Sequence, residues 1–157
     1  MEGGDIALFA VIVGVFVSIR VYNKVKKNKL MRSGEVTKRK TKDMTKKAEI
    51  FTIKKTSLKE IYEKLGEREL AKHGISTKLQ GEQIIFSAFG RMTVVLNDLG
   101  NDKYRLVVDR YSVQTTNGVK TKTHDKIEMN LVFTAVEKTM LALDPNTEIE
   151  EEFVKRV

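Results

Sequence analysis

The chain has 157 residues, 41% hydrophobic and 32% charged, with one proline; this suits a single packed domain plus accessories and excludes a disordered chain. It holds no cysteine, so disulfide frameworks, thiolate nucleophiles and cysteine-ligated metal sites are excluded together. The formal net charge of +8 suggests nucleic acid until it is localised: 14 Lys and Arg face three acids over residues 20–55, and 15 face 16 over residues 56–157.

Ile6 to Ile19 is a run of 14 uncharged residues, about 21 Å long as a helix. A cleaved export signal wants a basic lead and a small-x-small site, whereas this run follows the acidic "MEGGD". A soluble core helix wants a polar stripe, and "IALFAVIVGVFVSI" has none. Extending through Arg20, Val21 and Tyr22 gives about 25 Å, at the short end of a bilayer span. The expectation is therefore an uncleaved transmembrane signal-anchor over residues 1–22. Its anchoring side chains would be Ile6, Leu8, Phe9, Val11, Ile12, Val13, Val15, Phe16, Val17 and Ile19. Every Lys and Arg follows the run, so the positive-inside rule predicts a single-pass protein of the cell membrane, N-terminus out and C-terminal domain cytoplasmic. Ala10 and Gly14 lie four apart, a weak signal for self-association of the span.

Residues 23–47 are rich in like charge and poor in apolar residues, and read as a basic juxtamembrane linker. Arg20, Lys24, Lys26, Lys27, Lys29 and Arg32 are the expected contacts to anionic lipid headgroups. Nucleic acid is disfavoured, because no aromatic residues interleave with these cations for base stacking.

Residues 48–157 read as a soluble α+β domain. "AEIFTIKK" alternates as a strand. In "TSLKEIYEKLGE", Ser57 and Glu60 form a capping box, Leu58, Ile61, Tyr62 and Leu65 share a face, and Gly66 stops the helix. A short helix or turn follows over Glu67–Lys72. Strands are expected in "ISTKLQ", "EQIIFSAFG", "RMTVVLND" and "KYRLVVDRYSVQTT", and Asn117-Gly118 turns a hairpin into Val119–Thr123. Residues 126–143 carry both periodicities: Ile127, Met129, Leu131 and Phe133 alternate, while Met129, Val132, Val136, Met140 and Leu143 step helically. Length favours a helix ended before Pro145, followed by an acidic final turn in "NTEIEEEF". The fold class is thus α+β: one N-terminal transmembrane helix, a basic tether, then a small antiparallel sheet with helices on one face.

This order of strand, capped helix, strand run and long closing helix resembles the topology of helix-grip lipid- and ligand-binding domains over about 100 residues, with no motif shared. The likeness implies an apolar ligand under the long helix.

Motifs for chemistry are few. His73 and His124 have no partner at metal-ligand spacing, and Ser87, His124 and Asp125 form a trio that any chain of this length supplies. "NGVKTKT" lacks phosphate-loop spacing, and Asp144, Glu148, Glu150, Glu151 and Glu152 lack that of a calcium loop. The acidic group is a solvated end, or a latch onto the basic tether. No enzyme activity, cofactor or metal is expected. The reading is a membrane-anchored binding or interaction domain with a protein partner, and the alternative is a tethered helix-grip-like domain for a lipid or other apolar ligand.

Overall fold

The computed structural model describes residues 3–37, 39–123 and 125–154. The chain divides into two compact units, Met1–Val36 and Thr37–Val157.

The first unit is one helix, α1 (Gly3–Arg32). It is closed by Gly34, at φ 73°, with Ser33 N–H donating to Lys29 C=O at 2.9 Å and Val36 N–H to Leu30 C=O at 3.2 Å. The expected membrane span is corrected here. Among the described residues no helix is long and apolar enough to cross a membrane, which overturns the transmembrane element of the fold class, the single-pass signal-anchor and the N-out, C-in cell-membrane placement. The physical reason is length: the uncharged run of 14 residues covers about 21 Å against a hydrocarbon core of about 30 Å. The same helix then continues through Arg20, Lys24, Lys26, Lys27, Lys29 and Arg32.

In the second unit α2 (Thr41–Lys46) leads into β1 (Lys47–Thr52), followed by α3 (Leu58–Leu65) and α4 (Glu67–Ala71). Then come β2 (Ile75–Gln80), β3 (Gln83–Ala88), β4 (Met92–Gly100) and β5 (Lys103–Arg110). A hairpin of β6 (Val113–Thr116) and β7 (Val119–Thr123) precedes α5 (Lys126–Leu143) and β8 (Glu148–Phe153). Six strands form an antiparallel sheet in the order β2-β3-β4-β5-β1-β8, and β6 and β7 pair apart from it.

One face of the sheet is the core face. Phe51, Leu106, Leu96, Val94, Ile84 and Phe86 share it by register and are 0% exposed. The helices α3 and α5 pack on each other, and α5 packs on β4. Burying each such Leu, Ile or Phe contributes about 1.5–3 kcal/mol, so this layer dominates the fold. The start of α3 is the capping box read from sequence: Glu60 N–H donates to Ser57 Oγ at 3.2 Å, and Ser57 N–H donates to Glu60 Oε2 at 2.7 Å. Tyr104 on β5 donates its hydroxyl to Thr56 C=O and ties the sheet to the loop before that helix.

Three elements differ from expectation, the first being helix α2 within residues 23–47, which read as a linker. The run 103–116 is broken at Tyr111 and Ser112, where the buried Asp125 carboxylate accepts from Ser112 N–H at 2.9 Å and draws the backbone out of the ladder. The acidic "turn" is strand β8, paired along its whole length with β1. Its carboxylates are accommodated because Lys47 binds Glu151 and Arg105 binds Glu152 at 3.0 Å.

Candidate functional site

Strand β1 carries one acid on the core face. Glu49 is in phase with Phe51 and stands opposite Leu106 of β5 and Glu151 of β8. Its neutraliser comes from the segment ahead of α2. Arg39 donates from Nε to Glu49 Oε1 at 3.2 Å, from a terminal nitrogen to Thr134 Oγ1 at 3.0 Å and to Asn130 Oδ1 at 3.4 Å, and from the other to Glu137 Oε2. Thr37 N–H donates to the same Thr134 hydroxyl at 3.0 Å, so Thr37 and Arg39 both bond to α5. The guanidinium also lies 5.9 Å from the centre of the Phe133 ring, within cation–π range. Arg39 is therefore spent on internal partners. Glu49 is not satisfied in the same way, for Oε2 is buried without a hydrogen-bond partner. Burial is the main influence on its acidity and holds its pKa above the ordinary glutamate range, with Arg39 pulling it down and Glu137 pushing it up.

Beside this pair is a charged cleft of about 280 Å³, lined by Arg39, Lys40, Asp43, Met44, Lys47, Glu49, Phe133 and Glu151. Lys47 bridges its two sides, pairing with Asp43 at 3.8 Å and with Glu151. The hydrogen bond to Glu151 is the leading cause that raises the Lys47 pKa. The ammonium also sits 5.5 Å from the Phe153 ring centre.

The cleft adjoins the end of the sheet. β8 has β1 on one side and no strand on the other among the described residues. In an antiparallel pair, facing residues alternate between exchanging both backbone hydrogen bonds and exchanging none. Val154 N–H donates to Lys46 C=O at 2.8 Å, so that pair exchanges bonds, as do Glu152, Glu150 and Glu148 with Ala48, Ile50 and Thr52. The backbone N–H and C=O groups of Ile149, Glu151 and Phe153 consequently point away from β1. Ile149 and Phe153 are 39% and 76% exposed, unusual for apolar side chains on the core side of a sheet. Glu148, Glu150 and Glu152 are exposed on the opposite side. A strand edge with open backbone valences, two exposed apolar side chains and four carboxylates can pair with another extended chain.

The residues singled out from sequence fall elsewhere. Val13, Val15 and Val17 are exposed on α1. Ile6, Leu8, Phe9, Val11, Ile12, Phe16, Ile19 and Arg20 belong to the same helix, with side chains outside the described part. Lys24, Lys27, Lys29 and Arg32 are exposed and Lys26 is half-buried. Ser87 faces Ser76 and Thr93 across β3, Asp125 is spent on Ser112, and His124 lies outside the described residues. Arg39, Glu49 and Glu137 were not legible as a cluster. The available signal was parity: Glu49 is the one acid in phase with Phe51 and Ile53, on a strand face that also carries Lys47.

Comparison with known protein families, with curated proteins and with solved structures finds no match for the chain.

Proposed function

We propose that residues 37–157 act as a protein-binding module whose partner docks along β8 and the adjoining cleft, in a binding rather than a catalytic role. The observation that carries this reading is the outer edge of β8, where open backbone groups coincide with exposed Ile149 and Phe153. Natural sheets usually cover or twist away such an edge, and one that is long and partly apolar is a template for another chain. The opposite edge, β2, contrasts with it: its exposed residues Ser76, Lys78 and Gln80 are polar. The cleft is charged rather than apolar, so it lends no support to a lipid-like ligand.

Site-directed photo-crosslinking in cells tests the reading. A crosslinking residue at Ile149 is expected to give a discrete adduct that Glu150→Lys weakens, while the same residue at Lys78 gives none. Equal labelling from both edges, or none from either, would remove the basis for the proposal.

A further inference from the structure

We infer that β8 takes up an extended basic strand with two apolar residues four positions apart, which completes the sheet as a seventh strand. This rests on the reading of β8 as the docking edge and adds the chemistry of its occupant. The register defines that chemistry position by position. A new strand hydrogen-bonds to the outward backbone groups of Ile149, Glu151 and Phe153, and each of its side chains lies opposite one β8 side chain at about 4.5–5.5 Å between Cβ atoms. On one side it meets Glu148, Glu150 and Glu152 in succession. On the other it meets Ile149, Glu151 and Phe153, and Glu151 continues a row of acids from Glu49. Favourable partners are thus cations opposite all four glutamates and apolar side chains opposite Ile149 and Phe153.

Charge also decides against the nearest competitor. A second β8 paired antiparallel would set glutamates against glutamates, and like charges directly opposite each other destabilise a strand pair. The carboxylates that block self-pairing therefore select a basic strand. Glu148 and Glu150 are exposed, and Glu152 and Glu151 are held by Arg105 and Lys47, so a basic strand gains most from the first two.

The test uses the full chain and a short capped peptide with Ile and Phe four apart and Lys at the other positions. Its affinity is compared with three controls: the same peptide N-methylated at alternate backbone nitrogens, one with the two apolar residues made adjacent, and one with Glu in place of Lys. The expected result is that the first peptide binds at least about tenfold more tightly than each control. Each ladder hydrogen bond has a modest net worth, so blocking two or three weakens binding by about tenfold or more. Glu148→Lys with Glu150→Lys, both at exposed positions, is expected to weaken it similarly while leaving the circular dichroism spectrum unchanged. Binding that survives N-methylation, or that the double variant leaves intact, overturns the proposal. A concentration-dependent dimer formed through β8 overturns it in favour of a second copy as the occupant. If crosslinking from Ile149 persists in cells but no basic peptide binds, the docking edge stands and the strand chemistry falls.

Discussion

Replacing Arg39 by Met should be the most costly change to the charged groups of the site. The side chain is 13% exposed and holds Glu49, Asn130, Thr134 and Glu137. Its loss leaves the Glu49 carboxylate, also 13% exposed, without a cation and beside Glu137 at 29%. Removing one partner of a buried ion pair costs about 3–5 kcal/mol, because the remaining charge is stranded in low dielectric. The cost is pH-dependent, and its sign follows from Glu49. A carboxyl whose folded pKa lies above its unfolded value, 4.5 for this group, contributes stability that is fully present below that value and is lost as pH rises through the folded pKa. Without Arg39 the one strong influence lowering that pKa is gone, so the loss extends to higher pH. Urea denaturation followed by circular dichroism at about pH 5 and about pH 8 gives the comparison. Arg39→Met should lose about 3–5 kcal/mol at the higher pH and less at the lower. The Arg39→Met, Glu49→Gln double variant should recover at least half of the loss and flatten its pH dependence. A single variant indistinguishable from the parent, or a loss that neither acid nor Glu49→Gln relieves, would refute the reasoning.

Four further outcomes follow from the packing and the caps. Phe133→Ala removes a side chain that is 1% exposed, and should destabilise by about 3–5 kcal/mol in the same titration. Ser57→Ala should cost about 1 kcal/mol through the lost N-cap. Its partner Glu60 has a pKa lowered chiefly by the Ser57 backbone hydrogen bond, so its contribution is present above the unfolded value of 4.5 and disappears as pH falls through the folded one; Glu60→Gln should abolish that part of the acid sensitivity. Truncation before Glu148 uncovers the whole outer edge of β1, and light scattering should show association that the intact chain lacks.

Local signals in the sequence were the reliable ones. The capping box of Ser57 and Glu60 and the Asn117-Gly118 turn appear where spacing predicted them, because each is specified by residues within one turn of each other. The helical reading of 126–143 also holds, and the structure explains its mixed periodicity. α5 meets the sheet on one side and Thr37 and Arg39 on another, so Leu131 to Thr134 are buried in succession instead of on a single stripe. Non-local features were hidden. β8 read as a solvated acidic turn because its stability comes from β1, Lys47 and Arg105, nearly fifty or more residues away in sequence. Arg39 read as one cation of a spacer for the same reason, since its partners are Glu49 on β1 and Asn130, Thr134 and Glu137 on α5. The N-terminal run misled in a different way: its apolar residues and cationic exit read as a topology signal, but among the described residues no helix is long and apolar enough to span.

The central claim, an open β8 edge that accepts another strand, is tested most directly by residue-resolved amide hydrogen exchange with and without the basic peptide. In the free protein the amides of Ile149, Glu151 and Phe153 should exchange fast while those of Glu150 and Glu152, bonded to β1, are protected. On binding, the first three should slow and the amides of β2 should not change. Protection of Ile149, Glu151 and Phe153 in the free protein, or fast exchange at all three with the peptide bound, would contradict the account.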